Sequence, residues 1–162
     1  MLLKNLIKDL SPDVASIKIR GVSFDSRTIK KGELFVSIKG SKFDGDKFID
    51  EACKKGASVI VHSKNLKKIN KSKYIKVKDT REILANISNN YYKKKPKNII
   101  AVTGTNGKTS ISDFFCQIFL QQKKKSGFIG TLGFRKNKIL KKRNLTTLDP
   151  FTLNKDLNDM KL

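Results

Sequence analysis

The residues best placed to do chemistry lie in one run, Ile99-Ile100-Ala101-Val102-Thr103-Gly104-Thr105-Asn106-Gly107-Lys108-Thr109-Ser110. An apolar β-type segment, Ile99 to Thr103, enters a loop with two glycines, and a helical pattern from about Lys108 to Gln122 leaves it. Gly104 and Gly107 permit a tight turn that brings amide N–H groups, including those of Thr105 and Asn106, close to a phosphate. The helix start aims its unpaired N–H groups and positive dipole end at the same anion. Lys108 reaches the β and γ oxygens, and the Thr109 hydroxyl is a candidate Mg²⁺ ligand. Ser110 either contacts phosphate or extends the helix start. The strict G-x-x-x-x-G-K-[ST] pattern is not met, because Val102 stands where its first glycine belongs. The flanking strand and helix therefore carry the reading. Without them the run is a glycine turn beside a solvated lysine.

Other reactive side chains read as structural. His62 follows a short strand and has no Cys or acidic cluster at metal spacing, so a loop or packed imidazole is expected. Cys53 and Cys116 fall on apolar helical patterns and form neither a disulfide framework nor a metal cluster.

The elements that must position the loop follow from periodicity. Leu2, Leu3, Leu6, Ile7 and Leu10 have helical spacing, stopped by Ser11-Pro12. Leu34 to Ile38, Ser58 to Val61 and Tyr74 to Val77 read as strands. Between the first two, Asp46 is expected to cap a helix with Phe48, Ile49, Ala52 and Cys53 inward, closed by Gly56. Asp79 and Glu82 have capping-box spacing ahead of the stripe Ile83, Leu84, Ile87 and Tyr91. This alternation predicts a small α/β domain. The polar, Pro96-containing stretch Lys93 to Lys97 interrupts it, so the expected division is 1–95 and 96–162. In the second part, Ile111, Phe114, Phe115, Ile118 and Phe119 form the expected buried stripe of the post-loop helix. Gly127 to Gly130 begins a further β segment, and Phe151 to Met160 reads as a last helix. Residues 98–162 thus hold the opening of a nucleotide-binding domain and scarcely its remainder.

Composition narrows the function classes. Lys+Arg is 36 against Asp+Glu 14, a formal charge of +22, which attracts nucleic acid and anionic surfaces. Yet 31 of these are Lys and 5 are Arg, scattered from Lys4 to Lys161, whereas readers of base edges rely on Arg forks. No specific nucleic-acid role is expected. No stretch approaches the roughly 18 apolar residues of a membrane span, and Lys4, Lys8 and Asp9 break any signal-peptide core. Membrane insertion and export are not expected, and a cytoplasmic location is.

TGTNGKTS is similar to the ATP loop of the Mur ligases and to that of the folylpolyglutamate synthases, which often have Gly-Ser after the Lys. The N-terminal part separates the two. Phe24-Asp25-Ser26-Arg27, Lys31-Gly32-Glu33-Leu34-Phe35-Val36, Gly40 and Asp44-Gly45-Asp46-Lys47-Phe48-Ile49 resemble the UDP-binding domain of muramoyl-tripeptide synthetases. Gly130-Thr131-Leu132-Gly133 and Thr146-Thr147-Leu148-Asp149-Pro150 resemble the same ligases, with Leu148 where their pattern has Pro. The resemblance covers nearly the whole chain. It implies a UDP-precursor-binding α/β domain followed by the start of a P-loop α/β ATPase domain.

It also implies an activity. ATP and Mg²⁺ would convert the terminal carboxylate of UDP-N-acetylmuramoyl-L-alanyl-D-glutamate to an acyl phosphate. The amine of meso-diaminopimelate or L-lysine would then displace phosphate. Lys108 is the catalytic candidate, and Gly104 to Ser110 hold the ATP phosphates, with Thr109 on Mg²⁺. Ser26, Arg27, Asp44, Gly45, Thr146 and Thr147 are the precursor-binding candidates. Such a ligase is expected to be a monomer when full length. Two bland readings stay open: Ser26-Arg27 as an Asx-type turn with a surface ion pair, and Asp44-Gly45 as a helix start. Two other functions also stay open, a non-catalytic nucleotide-binding module and a different ligase of the same superfamily.

Overall fold

A computed structural model describes residues 1–39, 44–64, 73–137, 139–142 and 148–160. It divides into two compact units, Met1–Tyr91 and Tyr92–Leu162. The first unit ends with its last helix, ahead of the lysine-rich stretch.

In the first unit, strands β1 (Val22–Ser23), β2 (Leu34–Val36), β3 (Val59–His62) and β4 (Lys73–Lys76) form one parallel sheet in the order β1-β2-β3-β4. Phe35 pairs with Ile60, and Leu34 and Val36 with Val59 and Val61. All six are buried, as expected for parallel strands covered on both faces. On one face Phe35 and Ile60 pack with Ile29 and Ala57, and with Ile49 and Ala52 of helix α2 (Ile49–Lys54). Cys53 and Tyr74 lie against this cluster. Helix α3 (Thr80–Tyr91) buries Leu84 and Ile87, and Arg81 N donates to Asp79 Oδ1 at 2.7 Å, the expected cap.

The N-terminus departs from its periodicity. Leu3, Leu6 and Ile7 are buried, but only Leu3–Asn5 is helical, as a single 3₁₀ turn. The chain is instead pinned alongside residues 17–19: Leu3 N donates to Ile17 O, and Ile19 N to Met1 O, each at 2.9 Å. Pro12 starts the short helix α1 (Pro12–Ala15) instead of ending one, because an N1 proline forfeits no helical hydrogen bond. The cap before α2 also differs. Asp44, not Asp46, caps the 3₁₀ segment Gly45–Phe48 by accepting from Asp46 N, and Phe48 is exposed.

The second unit contains α4 (Lys108–Gln121), an antiparallel sheet in the order β5-β6-β7 (Gly127–Gly130, Gly133–Lys136, Ile139–Lys141) and α5 (Pro150–Asp159). Asp149 caps α5, accepting from Thr152 N at 2.8 Å, with Pro150 in the first turn. Two expectations fail here. Residues 99–103 form no strand, and Ile100 is 66% exposed. Ile111, Phe114, Phe115 and Ile118 are exposed as well, and Cys116 alone of α4 is buried. A buried parallel strand needs partners on its edges and an apolar helix face needs a sheet beneath it. Among the described residues no strand pairs with 99–103, and the sheet beside α4 meets it at Asp113 and Cys116, leaving the face of Ile111, Phe114, Phe115 and Ile118 uncovered.

Candidate functional site

The loop sequence dictates its own geometry. Gly104 has φ +150° and Gly107 has φ +76°, ψ −10°, conformations that a side chain disfavours. Gly107 is the residue that opens α4: Ile111 N donates to its carbonyl at 2.9 Å. The first-turn N–H groups of this 14-residue helix lack intrahelical acceptors and face the loop side. Lys108 folds back over the loop. Its Nζ donates to Thr105 O at 3.0 Å and also to Gly104 O. An ammonium therefore already sits where the loop turns, beside exposed Thr105 and Asn106. Half-buried Thr109 follows in the first helical turn, and Ser110 is exposed next to it. Asp113, one turn further, pairs with Arg135 of β6 at 2.7 Å, and Arg135 lies over the Phe128 ring of β5. That pair ties the loop's helix to the hairpin.

The candidates of the first unit gather at one end of its sheet. Ser26 and Arg27 follow β1, Asp44 and Gly45 follow β2, and Lys64 follows β3, all beyond the carboxyl ends of parallel strands. Ligands of open parallel sheets sit in that position. Ser26 is 5% exposed, and its hydroxyl donates to Glu51 Oε2 at 2.7 Å. Arg27 Nη2 pairs with Asp25 Oδ2 at 2.7 Å, and Arg27 N donates to Asp25 Oδ1 at 2.9 Å. The turn thus has the Asx-type form, while the Arg27 side chain is 84% exposed. The Arg27 hydrogen bond holds the Asp25 carboxyl below its ordinary range.

Gly45 lies against backbone: a Cβ there would meet Ile38 O at 2.5 Å. Lys64 Nζ bridges Asp44 and Asp46, reaching Asp46 Oδ2 at 3.4 Å. The Ser37 hydroxyl donates to the other oxygen of buried Asp46. Lys64 depresses the Asp44 carboxyl, and Asp44 raises the Lys64 ammonium in turn. Sequence reading missed Lys64, Ser37 and Glu51. Only the i, i+4 spacing of Glu51 and Lys55 was visible, and it does not name Ser26 as their target. Thr146 and Thr147 lie outside the described residues. His62 is buried edge-on to Tyr74, a packed imidazole. Among the described residues no three His, Cys, Asp or Glu side chains form a metal cluster. No helix among them is long and apolar enough to cross a membrane.

Residues 18–92 match the family described as Mur ligase family, catalytic domain, and residues 102–162 match the Mur ligase middle domain. The chain belongs to the Mur ligase family, and its likeness is to the tripeptide-synthetase type. It is 43% identical over 136 residues to the UDP-N-acetylmuramoyl-L-alanyl-D-glutamate–2,6-diaminopimelate ligase of Rickettsia typhi, covering 82% of this chain and 27% of that protein. Over 165 residues it is 37% identical to the ligase of the same name from Bradyrhizobium diazoefficiens, covering 99% and 33%. A solved ligase of that name superposes with a TM-score of 0.75 at 27% identity, across 99% of this chain and 33% of the other. The MurF ligase of Thermotoga maritima, solved in complex with ADP, gives 0.51 at 28% identity over 64% and 24%. The chain spans between about a quarter and a third of the length of the curated relatives it matches.

Proposed function

We propose that this chain supplies the precursor-binding and phosphate-binding parts of an ATP-dependent, cytoplasmic ligase of peptidoglycan synthesis. The ligase adds meso-diaminopimelate or L-lysine to UDP-N-acetylmuramoyl-L-alanyl-D-glutamate. The observation that carries the reading is the loop. Gly107, in left-handed conformation, delivers a 14-residue helix start and the Lys108 ammonium to one turn.

The loop amides and the N-terminus of α4 hold the ATP phosphates, and Lys108 exchanges the carbonyls of Gly104 and Thr105 for phosphate oxygens. Charge spreads over the transferring phosphoryl group, so a fixed ammonium and aligned amides lower the barrier without covalent chemistry by the protein. Thr109 offers one hard oxygen. That oxygen would hold a Mg²⁺ ion, a hard cation that prefers oxygen ligands. When bound, such an ion neutralises phosphate charge. A carboxylate oxygen of the precursor forms a bond to the γ-phosphorus as the bond to ADP breaks. The amine of the added amino acid then displaces inorganic phosphate from the acyl carbon. In the first unit, Ser26 and Arg27 contact the uridine nucleotide, and Asp44 and Gly45 shape the adjoining turn.

The test is calorimetric titration of the chain with UDP-N-acetylmuramoyl-L-alanyl-D-glutamate and, separately, with MgATP. Saturable binding of both supports the reading, and binding of neither removes it. In a complete ligase, tripeptide formation with each amino acid in turn would distinguish a ligase from a binding module and would name the amino acid.

A further inference from the structure

The turn after β1 rests on a strand of two residues, too short to fix it. Its own bonds are local: Ser23 Oγ to Asp25 O at 3.0 Å, and Thr28 Oγ1 to Asp25 O at 3.2 Å. The tertiary hold comes from the last turn of α2 and its C-cap residue, Lys55. Lys55 Nζ donates to Ser26 O at 2.8 Å and lies 3.4 Å from Arg27 O. Glu51 Oε2 accepts from the Ser26 hydroxyl at 2.7 Å, while Glu51 Oε1 pairs with Lys55 at 2.8 Å. Both side chains are well exposed, where an ion pair adds little stability. Their geometric effect is larger.

We infer that Glu51 and Lys55 are a positioning pair that locks the turn after β1 and leaves the Ser26 oxygen able only to accept. The inference rests on the proposed reading of this end as the uridine-nucleotide site. An ionised carboxylate has no proton to give, so the Ser26 hydroxyl proton is committed to Glu51. Lys55 supports that ionisation by hydrogen-bonding the same carboxylate. Any group a ligand brings to Ser26 Oγ must therefore be a donor. A uridine nucleotide has such donors in its ribose hydroxyls and in uracil N3–H, and none in its ionised diphosphate. Ser26 thus meets the nucleoside, and the diphosphate lies elsewhere along the sheet end.

The test titrates wild type, Glu51→Ala, Glu51→Gln, Lys55→Ala and Ser26→Ala chains with the UDP-precursor, with MgATP as the internal control. Glu51→Ala and Lys55→Ala should each weaken the precursor about tenfold, the scale of one charge-assisted contact, and leave MgATP affinity within about twofold. Glu51→Gln keeps an acceptor for Ser26 and should recover at least half of that loss on a logarithmic scale. UDP analogues lacking one donor, 2′-deoxy-UDP, 3′-deoxy-UDP and 3-methyluridine diphosphate, identify the partner of Ser26. One of them should bind wild type more weakly than UDP does and bind Ser26→Ala as well as UDP does. Precursor affinity within twofold of wild type in a folded Glu51→Ala chain overturns the inference. So does a Glu51→Gln loss equal to that of Glu51→Ala with a parallel fall in melting temperature, which would mark a structural pair. A wild-type chain that binds MgATP but no precursor removes the reading of the site, and the inference with it.

Discussion

Lys108→Ala separates the loop's two roles, holding itself together and holding phosphate. In the free protein the ammonium donates to the carbonyls of Gly104 and Thr105, both on exposed residues. Water replaces the ammonium there once the side chain is cut, so the stability loss should stay below about 1 kcal/mol. The left-handed start of α4 at Gly107 does not depend on the lysine, and the amide array survives. Phosphate loses a charge-assisted contact worth about 1.5–3 kcal/mol, a weakening of about 10- to 150-fold in Kd. The assay is calorimetric titration with MgATP, with adenosine as a ligand that has no phosphate and with a thermal melt beside it. ATP affinity should collapse while adenosine affinity and the melt barely move. Lys108→Arg should rescue poorly, because a planar fork does not fit a loop closed on a compact ammonium. An ATP affinity within twofold of wild type would refute the reasoning and leave Gly104 to Ser110 as a turn. In a complete ligase the same substitution should cut turnover by at least about 100-fold.

Three further outcomes are expected. Gly45→Ala should destabilise the first unit by about 1–3 kcal/mol in urea unfolding, because its Cβ would sit 2.5 Å from the backbone oxygen of Ile38, which cannot swing aside; an unchanged midpoint contradicts that packing. Arg27→Ala should weaken UDP-precursor binding about three- to tenfold, less than an unpaired arginine would, since Asp25 competes for the guanidinium; unchanged affinity in the folded variant rejects the role given to Arg27. Acid should lower the stability of the first unit. Asp13, Asp25, Asp44 and Glu51 all titrate below their ordinary values of 3.8 and 4.5, so the folded state binds fewer protons than the unfolded chain as pH falls. Their contribution is complete above about pH 5 and is lost as pH drops through the ordinary values toward the depressed ones. Urea midpoints at pH 7 and pH 3 check it, and equal midpoints would sink it.

What the sequence by itself determined were features that rest on local chemistry. Gly107 with Lys108 dictates a tight glycine entry into a helix, Asp79 dictates a cap, and the unbroken apolar runs Leu34-Phe35-Val36 and Val59-Ile60-Val61 dictate strands. Each depends on a few neighbouring residues whose backbone preferences agree. The buried apolar residues of the N-terminus were legible too, but not their conformation. Helical spacing at Leu3, Leu6 and Ile7 says they face inward together, and the pairing with Ile17 and Ile19 decides that most of the segment is not a helix. The stripe Ile111, Phe114, Phe115 and Ile118 shows the limit most plainly. Periodicity identifies a face that wants cover, and burial exists only where another part of the fold supplies that cover. The site divides in the same way. The phosphate loop is contiguous and could be read along the chain. The grip of Glu51 and Lys55 on Ser26, and of Lys64 on Asp44 and Asp46, joins residues 18 to 29 positions apart. Only the parallel register that sets β1, β2 and β3 side by side brings those partners within hydrogen-bond reach.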